Sequence, residues 1–482
     1  MVPPIVWTIL SIANYVVVIL LIEHIVRTRR DPRGALVWIL TLILLPVLGL
    51  VLYLLVGQAP IMRKVRRRRR RLRKIQRALS QQTAVLAQAY DAREKEAIQG
   101  PQRDLIHVAA RVSDAVVTRG NNVAIYHDAE RAFLALSLAI QEARAHVHME
   151  YYIFAEDDTG LALRDLLVRK AREGAEVRVL LDAVGCWRLG QPFVDSMREG
   201  GVKVAFFLPW GLTHRRLQLN CRNHRKLTVI DGRRAFSGSK NIADEYLGRK
   251  KKYGPWLDTH LEVSGPCVAQ LQEVFVEDWH FATKEDLSSG HYFPTPIVEG
   301  DKIVQIVPSG PDRREGVMHQ LLNAAVNSAR HSVSLLTAYF VPDATMVLAL
   351  TSAAFRGVRV QVLLPSRSDH WVVLWAGRAI YEDLLDAGVE IYEYDKGMLH
   401  AKEMIVDSHW AMVGSANMDI RSFRINFELT SMLYDEESAR RLQGDFDALR
   451  DAARRVTLHE VKHWTYPQSL AAGFGRLAAP LL

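Results

Sequence analysis

Residues 224–241 read HRKLTVIDGRRAFSGSKN, and residues 400–417 read HAKEMIVDSHWAMVGSAN. The stretches share His, Lys, Asp, Gly, Ser and Asn at identical offsets, while nearly everything between has changed. Side chains alternate along a strand, so His224 and Lys226 point the same way, as do His400 and Lys402. Asp231 and Asp407 have the opposite parity and precede Gly232 and Ser408, which reads as a hairpin turn. A fold-back around Gly232-Arg233 places Lys226 opposite Ser239 and His224 opposite Asn241. The second copy obeys the same rule, with Lys402 opposite Ser415 and His400 opposite Asn417. Each hairpin is then expected to gather a nucleophile or acid/base, a fixed cation, a hydroxyl and an amide on one face.

That inventory suits phosphoryl transfer. Negative charge that builds on the nonbridging oxygens of a phosphodiester can be held by Lys226, Lys402, Asn241 and Asn417, with Ser239 and Ser415 beside them. One histidine can attack phosphorus while the other protonates the departing alcohol and later deprotonates the acceptor, so the chemistry needs both copies. A single His-x-Lys arises by chance; the doubled six-position pattern does not. No HExxH or carboxylate-rich cluster accompanies the histidines, so metal binding is a poor reading, and neither a metal nor another cofactor is expected. The turn residues Asp231 and Asp407 belong to the shared pattern and so to the candidate catalytic set, but their parity favours tying down the hairpin. The carboxylates expected to orient the histidines are Asp258 in GPWLDTHLEV and Glu428 in RINFELTSML.

Outward from the motifs the chain alternates short apolar strands with amphipathic helices, which reads as α/β. The alternation occurs twice. HVHMEYYIF, AEVRVLLD and VKVAFFLP lead into His224, and SVSLLTAYFVP, VRVQVLLP and VEIYEY lead into His400. The expected organisation is two duplicated domains, residues 105–295 (motif region 218–245) and 296–482 (motif region 394–421), paired about a pseudo-twofold axis with the site on the seam. The C-terminal SLAAGFGRLAAPLL either closes or anchors the site at a membrane or is a frayed end.

The N-terminal part differs. Residues 3–22 and 34–62 carry no charge, and each is long enough for the roughly 20 apolar residues that cross a bilayer. Residues 1–62 are therefore expected to hold two transmembrane or re-entrant helices. Residues 63–77, RKVRRRRRRLRKIQR, open a basic linker (63–104) that serves either as a topology signal or as a contact for anionic headgroups. The net charge of +9 consists of +11 from that tract and +2 from residues 1–62, which leaves residues 78–482 at −4. Such a balance argues against nucleic acid, which wants basic charge beside the site. Three cysteines without metal or CxxC spacing favour a reducing compartment.

The doubled motif resembles that of the phospholipase D superfamily, and its order along the chain is similar to that of bacterial cardiolipin synthases. The resemblance rests on the N-terminal hairpin, HMEYYIFAEDDTG, TAYFVPD and GSANMDIRSFRINFE, and covers almost the whole chain. It implies two phospholipase D-like α/β/α sandwich domains behind a transmembrane helical hairpin, in a multi-pass protein of the bacterial inner membrane whose catalytic domains face the cytoplasm. It also implies transfer of a phosphatidyl group between two phosphatidylglycerol molecules, giving cardiolipin and glycerol through a phosphohistidine. By analogy His224 is the nucleophile and His400 the acid/base, although the near-equivalent copies do not themselves assign the roles. A lipid hydrolase, a phosphatidyltransferase with another acceptor, and a nuclease are the enzymatic alternatives. A catalytically dead membrane scaffold is the alternative of another class.

Overall fold

Prolines punctuate the N-terminal helices. Helices α1 (Pro4–Thr28), α2 (Pro32–Leu44) and α3 (Pro46–Val56) each begin at a proline, whose missing N–H is tolerated only in the first turn. They were described in a computed structural model that covers residues 4–28, 32–56, 101–209, 221–252, 254–313, 316–368 and 370–479. The basic tract 63–77 and most of the linker 63–104 lie outside the described residues. The chain forms two compact units, with α1–α3 in the first and residues 71–208 and 222–482 in the second.

Within the first unit the second apolar segment is not one spanning helix. Trp38 of α2 and Tyr53 of α3 meet edge to face with ring centroids 5.2 Å apart. A straight helix would separate them by about 22 Å. The chain therefore folds back at Pro46, and helices of 13 and 11 residues are too short for a hydrocarbon core of about 30 Å. Among the described residues no helix is long and apolar enough to cross a membrane, so the expected pair of transmembrane helices is not found there. Val18, Ile25, Trp38, Leu42 and Tyr53 form the unit's small core.

The second unit is built on one sheet of 15 strands. Its first half contributes β1 (Val117–Tyr126), β2 (His146–Tyr151), β3 (Glu176–Asp182), β4 (Lys203–Phe207), β5 (Lys226–Ile230), β6 (Arg234–Gly238) and, after the short β7 (Trp256–Leu257), β8 (His260–Ser264). The second half contributes β9 (Lys302–Ser309), β10 (Ser332–Leu336), β12 (Arg359–Pro365), β13 (Glu390–Tyr394), β15 (Glu403–Val406), β16 (Trp410–Gly414), β18 (Glu428–Leu433) and β19 (Arg454–Val456). The short strands β11 (Phe340–Val341), β14 (Met398–Leu399) and β17 (Met418–Asp419) lie outside that sheet. From the antiparallel β1–β9 pair outward, one half runs β1, β8, β6, β5, β2, β3, β4. The other runs β9, β18, β16, β15, β10, β12, β13, with β19 added at the edge. The duplication is thus two halves of one continuous sheet, with corresponding strands in the same order on either side of the β1–β9 pair.

Helices α4 (Pro101–Ser113), α5 (Ala129–Glu142), α6 (Asp158–Arg172), α7 (Gln191–Glu199) and α8 (Val268–Thr283) belong to the first half of the chain. Leu136, Leu167 and Phe193 of α5, α6 and α7 share a core with Val147 and Val179. Helix α4 departs from its expected place in the domain that begins at residue 105. Its Leu105, Ala109 and Val112 join Val317, Leu321 and Val333 in the second half's core.

Both motif hairpins are one residue off the expected register. Leu227 pairs with Ser237 and Ile230 with Arg234, and Glu403 pairs with Val413 and Val406 with Trp410. Asp231 and Asp407 have φ of 53° and 54°, a left-handed turn that an Asx residue accepts, so the loop takes three residues rather than two. A one-residue slip would carry Ser239 to the wrong face. The strand corrects itself at Gly238, where φ is 153° and a Cβ would come within 2.4 Å of the Thr259 carbonyl.

Candidate active site

The backbone decides which carboxylate meets which histidine. The His224 N–H donates to the Phe427 carbonyl at 2.9 Å, and the His400 N–H to the Leu257 carbonyl at 2.8 Å. Each histidine is therefore docked one residue before the other repeat's carboxylate. His224 Nδ1 lies 2.9 Å from Glu428 Oε2, and His400 Nδ1 lies 2.9 Å from Asp258 Oδ2. The orienting carboxylates are exchanged between repeats, and neither repeat holds a complete half-site of its own.

The serines are placed differently from expectation. Ser239 Oγ hydrogen-bonds Asp258, and Ser415 Oγ donates to Glu428 Oε2 at 2.5 Å. Trp256 Nε1 also donates to Asp258, at 3.3 Å, and Ser422 Oγ and Asn426 Nδ2 donate to Glu428 at 3.0 and 3.3 Å. Both serines hold carboxylates rather than standing in line with the lysines as phosphate ligands. Asn241 accepts from the Ile153 N–H at 3.2 Å through Oδ1, which leaves its NH₂ as a donor. The Asn417 N–H donates to Ser422 Oγ at 3.0 Å.

Both turn aspartates are engaged by backbone N–H groups. The Asp231 carboxylate accepts from the N–H groups of Arg144, Ala145 and His146 at 2.7–2.8 Å. Asp407 does the same for Arg330, His331 and Ser332 at 2.7–3.0 Å. Each clamps the turn to the start of the neighbouring strand. Such contacts are those of a residue that ties down the hairpin.

All four basic motif side chains are buried. Lys226 Nζ donates to the His224 carbonyl at 2.7 Å, and Lys402 Nζ lies 2.8 Å from His400 Nε2. Burial, with Lys226 and Lys402 adding to it against Glu428, pushes the His224 imidazole down to about 4. Burial and then Lys402 push His400 down, against Asp258. Burial lowers Lys226 well below its ordinary value, with Lys402 assisting. The carboxylates move the other way from a buried acid: although burial would raise them, His224 and Lys226 hold Glu428 low, and His400 and Lys402 hold Asp258 far below the usual range. Each ring is thus held through Nδ1 by a carboxylate, which turns Nε2 toward the reaction. His224 Nε2 has no hydrogen-bond partner among the described residues, whereas His400 Nε2 faces Lys402.

Aromatic rings that sequence reasoning missed enclose the pair. Tyr152 meets His224 edge-on at 5.0 Å and carries Lys226 Nζ over its face at 5.4 Å. Tyr246 and Trp256 stand 5.7 and 5.4 Å from His400. Tyr152 lies in the quoted EYYIF strand and Trp256 two residues before Asp258 on an alternating strand, so parity alone could have nominated Trp256. Ser422 and Asn426 had no such signal, because they enter through the short helix that follows Asp419.

Comparison with known proteins agrees with this geometry. The family described as cardiolipin synthase, PLD-like domain, matches residues 136–279 and 322–450, and the phospholipase D-nuclease N-terminal family matches residues 5–58. A cardiolipin synthase of Geobacillus kaustophilus is 37% identical over 459 residues, covering 94% of this chain and 90% of that protein. Cardiolipin synthase 2 of Bacillus cereus is 37% identical over 458 residues, covering 94% and 88%. The crystal structure of phosphatidylserine synthase from Haemophilus influenzae superposes with a TM-score of 0.57 at 13% identity, over 75% of this chain and 95% of that one, a likeness of fold.

Proposed function

Since this chain belongs to the cardiolipin synthase family, we propose that it condenses two phosphatidylglycerol molecules into cardiolipin and glycerol, with His224 as the carrier of the phosphatidyl group. The observation that carries the reading is the exchange of carboxylates, which makes one two-histidine site from two repeats.

His224 Nε2 attacks the phosphorus of the first lipid, and the bond from phosphorus to the headgroup glycerol oxygen breaks. His400 supplies the proton that the leaving oxygen takes. The bound phosphodiester anion offsets the two lysines and raises the proton affinity of His400. Lys402, at 2.8 Å, stands where it can pass a proton to Nε2. In the second half of the cycle the terminal hydroxyl of another phosphatidylglycerol gives its proton to His400 and attacks phosphorus. The phosphorus–nitrogen bond breaks, cardiolipin leaves, and the proton taken up by His400 returns to Lys402, which restores the starting enzyme. Lys226, Lys402, Asn241 and Asn417 bind the nonbridging oxygens as charge grows on them. The sequence of proton and bond changes calls for neither metal nor nucleotide.

The membrane is the source of both substrates. The basic residues that follow α1 and the tract 63–77 carry the charge that the positive-inside rule assigns to the cytoplasmic side. Eleven basic residues there bind anionic headgroups at about 1 kcal/mol each near the surface.

Reconstituted protein given headgroup-labelled phosphatidylglycerol should release labelled glycerol and form cardiolipin; phosphatidic acid instead would mean hydrolysis. With acyl-labelled lipid and acid-free quenching, His400→Ala should retain a covalent label that His224→Ala lacks. Label found only in His224→Ala would reverse the assignment.

A further inference from the structure

The last helix packs inside out. Helices α9 (Val317–Ser328), α10 (Ala344–Phe355), α11 (Trp371–Arg378), α12 (Tyr381–Asp386), α13 (Ile420–Arg424), α14 (Glu436–Asp451) and α15 (Leu458–Lys462) precede α16 (Tyr466–Ala478). Helix α16 lies against α11 with its smallest residues. Ala472 and Gly475 are buried, and a Cβ on Gly475 would come within 2.4 Å of the Ala376 nitrogen. Its largest residues point away: Tyr466, Leu470, Phe474 and Leu477 are 80%, 47%, 60% and 78% exposed. At 100° per residue these four fall within one stripe about 80° wide. A helix that needed only to cover the protein would do the reverse.

The position of α16 is tied to the active site. Asn417 leads directly into β17, which pairs with β11. Helix α11 packs on β11, and α16 on α11. At the start of α11, Trp371 is 62% exposed. The charge also differs from its surroundings. From residue 454 onward the chain has Arg454, Arg455, Lys462 and Arg476 against Glu460 alone, although residues 78–482 as a whole are acidic. Arg454 is engaged by Glu393 and Glu460, whereas Arg455, Lys462 and Arg476 have no carboxylate partner among the described residues.

We propose that the exposed stripe of α16 is a membrane-docking surface, which inserts Tyr466, Leu470, Phe474 and Leu477 at the headgroup boundary of an anionic bilayer and brings the catalytic unit to its lipid. An amphipathic helix with aromatic and aliphatic residues on one face and basic residues beside them binds in the plane of such an interface. The inference rests on the lipid-transfer reading of the site and adds a second contact with the bilayer, separate from the N-terminal unit. The surface lets the enzyme draw both lipids from the leaflet it rests on.

The test uses the full chain. Hydrogen exchange of residues 466–478 should slow on vesicles of phosphatidylcholine with 30% phosphatidylglycerol, by about tenfold relative to detergent micelles, and less on pure phosphatidylcholine. The double variant Leu470→Glu, Phe474→Glu should lose about tenfold or more of its activity on vesicles, since two apolar anchors are replaced by charge. Its activity on short-chain phosphatidylglycerol below the micellar concentration should stay within about twofold, because α16 touches none of the reacting groups. Equal loss on both substrates, or protection that follows protein concentration in the absence of lipid, would overturn the proposal, the latter in favour of a second copy of this chain. If wild-type protein forms no cardiolipin from the short-chain lipid, it is the lipid-transfer reading that fails, and the exchange measurement still judges the docking.

Discussion

The two half-sites share a backbone and differ in what surrounds it. In one, His224 leans on Glu428 and has an Nε2 without a hydrogen-bond partner among the described residues; in the other, His400 leans on Asp258 and has Lys402 at its Nε2. Behind the first motif stand Lys240 and His260, where the second has Ala416 and Thr430. A duplicated fold delivers two equal histidines at almost no design cost. The proposed division into nucleophile and proton carrier would then rest on a few side chains around each ring, an asymmetry that is chemical rather than architectural.

The comparison breaks hardest at the carboxylates. Asp258→Asn and Glu428→Gln should each lower kcat by about 10²–10⁴-fold, as expected when a histidine loses the acceptor that fixes its tautomer. They should differ in what accumulates. Asp258→Asn cripples the proton carrier, so rapid-quench analysis should find covalent lipid on the enzyme; Glu428→Gln cripples the attack, and little label should build up. Identical trapping in both variants would mean that the two rings share their roles.

The turn aspartates test the opposite expectation, that the halves are equal. Asp231→Ala and Asp407→Ala each strip three backbone N–H groups of their acceptor and leave alanine at a positive φ. Each should cost about 2–4 kcal/mol of stability in denaturant titrations. Activity per folded molecule should remain close to wild type in both. A variant that is stable but inactive would return the aspartate to the reacting set.

Much of this was legible because periodicity two and turn chemistry are local rules. The repeat, the hairpins, the histidine–lysine pairs and the structural part of Asp231 follow from residues a few positions apart. Even there the register slipped by one, since no local signal says that Asp231 itself takes a left-handed conformation and lengthens the turn. The exchange of Asp258 and Glu428 between repeats was not legible. It is set by the hydrogen bonds that the His224 and His400 backbone N–H groups donate to the Phe427 and Leu257 carbonyls, which lie far away in the sequence. Ser239 and Ser415 were read as phosphate ligands for the same reason, because the groups they serve arrive from elsewhere in the chain. The second apolar segment was read by length, and Pro46, the residue that folds it, was in plain view.

Lys240 offers the smallest effect and the sharpest control. Its ammonium is buried without a hydrogen-bond partner among the described residues, and burial pushes it down to about 8, against Asp258 and Asp128. The unfolded chain would hold that proton to about 10.4, so the native state gains stability as pH rises from 8 to 10.4 and carries the full cost of the buried charge below that window. Lys240→Met, which keeps the length and removes the charge, should therefore stabilise the protein by about 1–2 kcal/mol at pH 7 and abolish the gain at alkaline pH, read from thermal unfolding across the range. The second repeat already lives with alanine at this position and needs no cation there. If the methionine variant keeps its activity, the extra cation is dispensable ornament on one half of the pair. If activity falls while stability rises, Lys240 is a further element of the asymmetry, acting through the neighbouring Asp258 on the proton carrier His400.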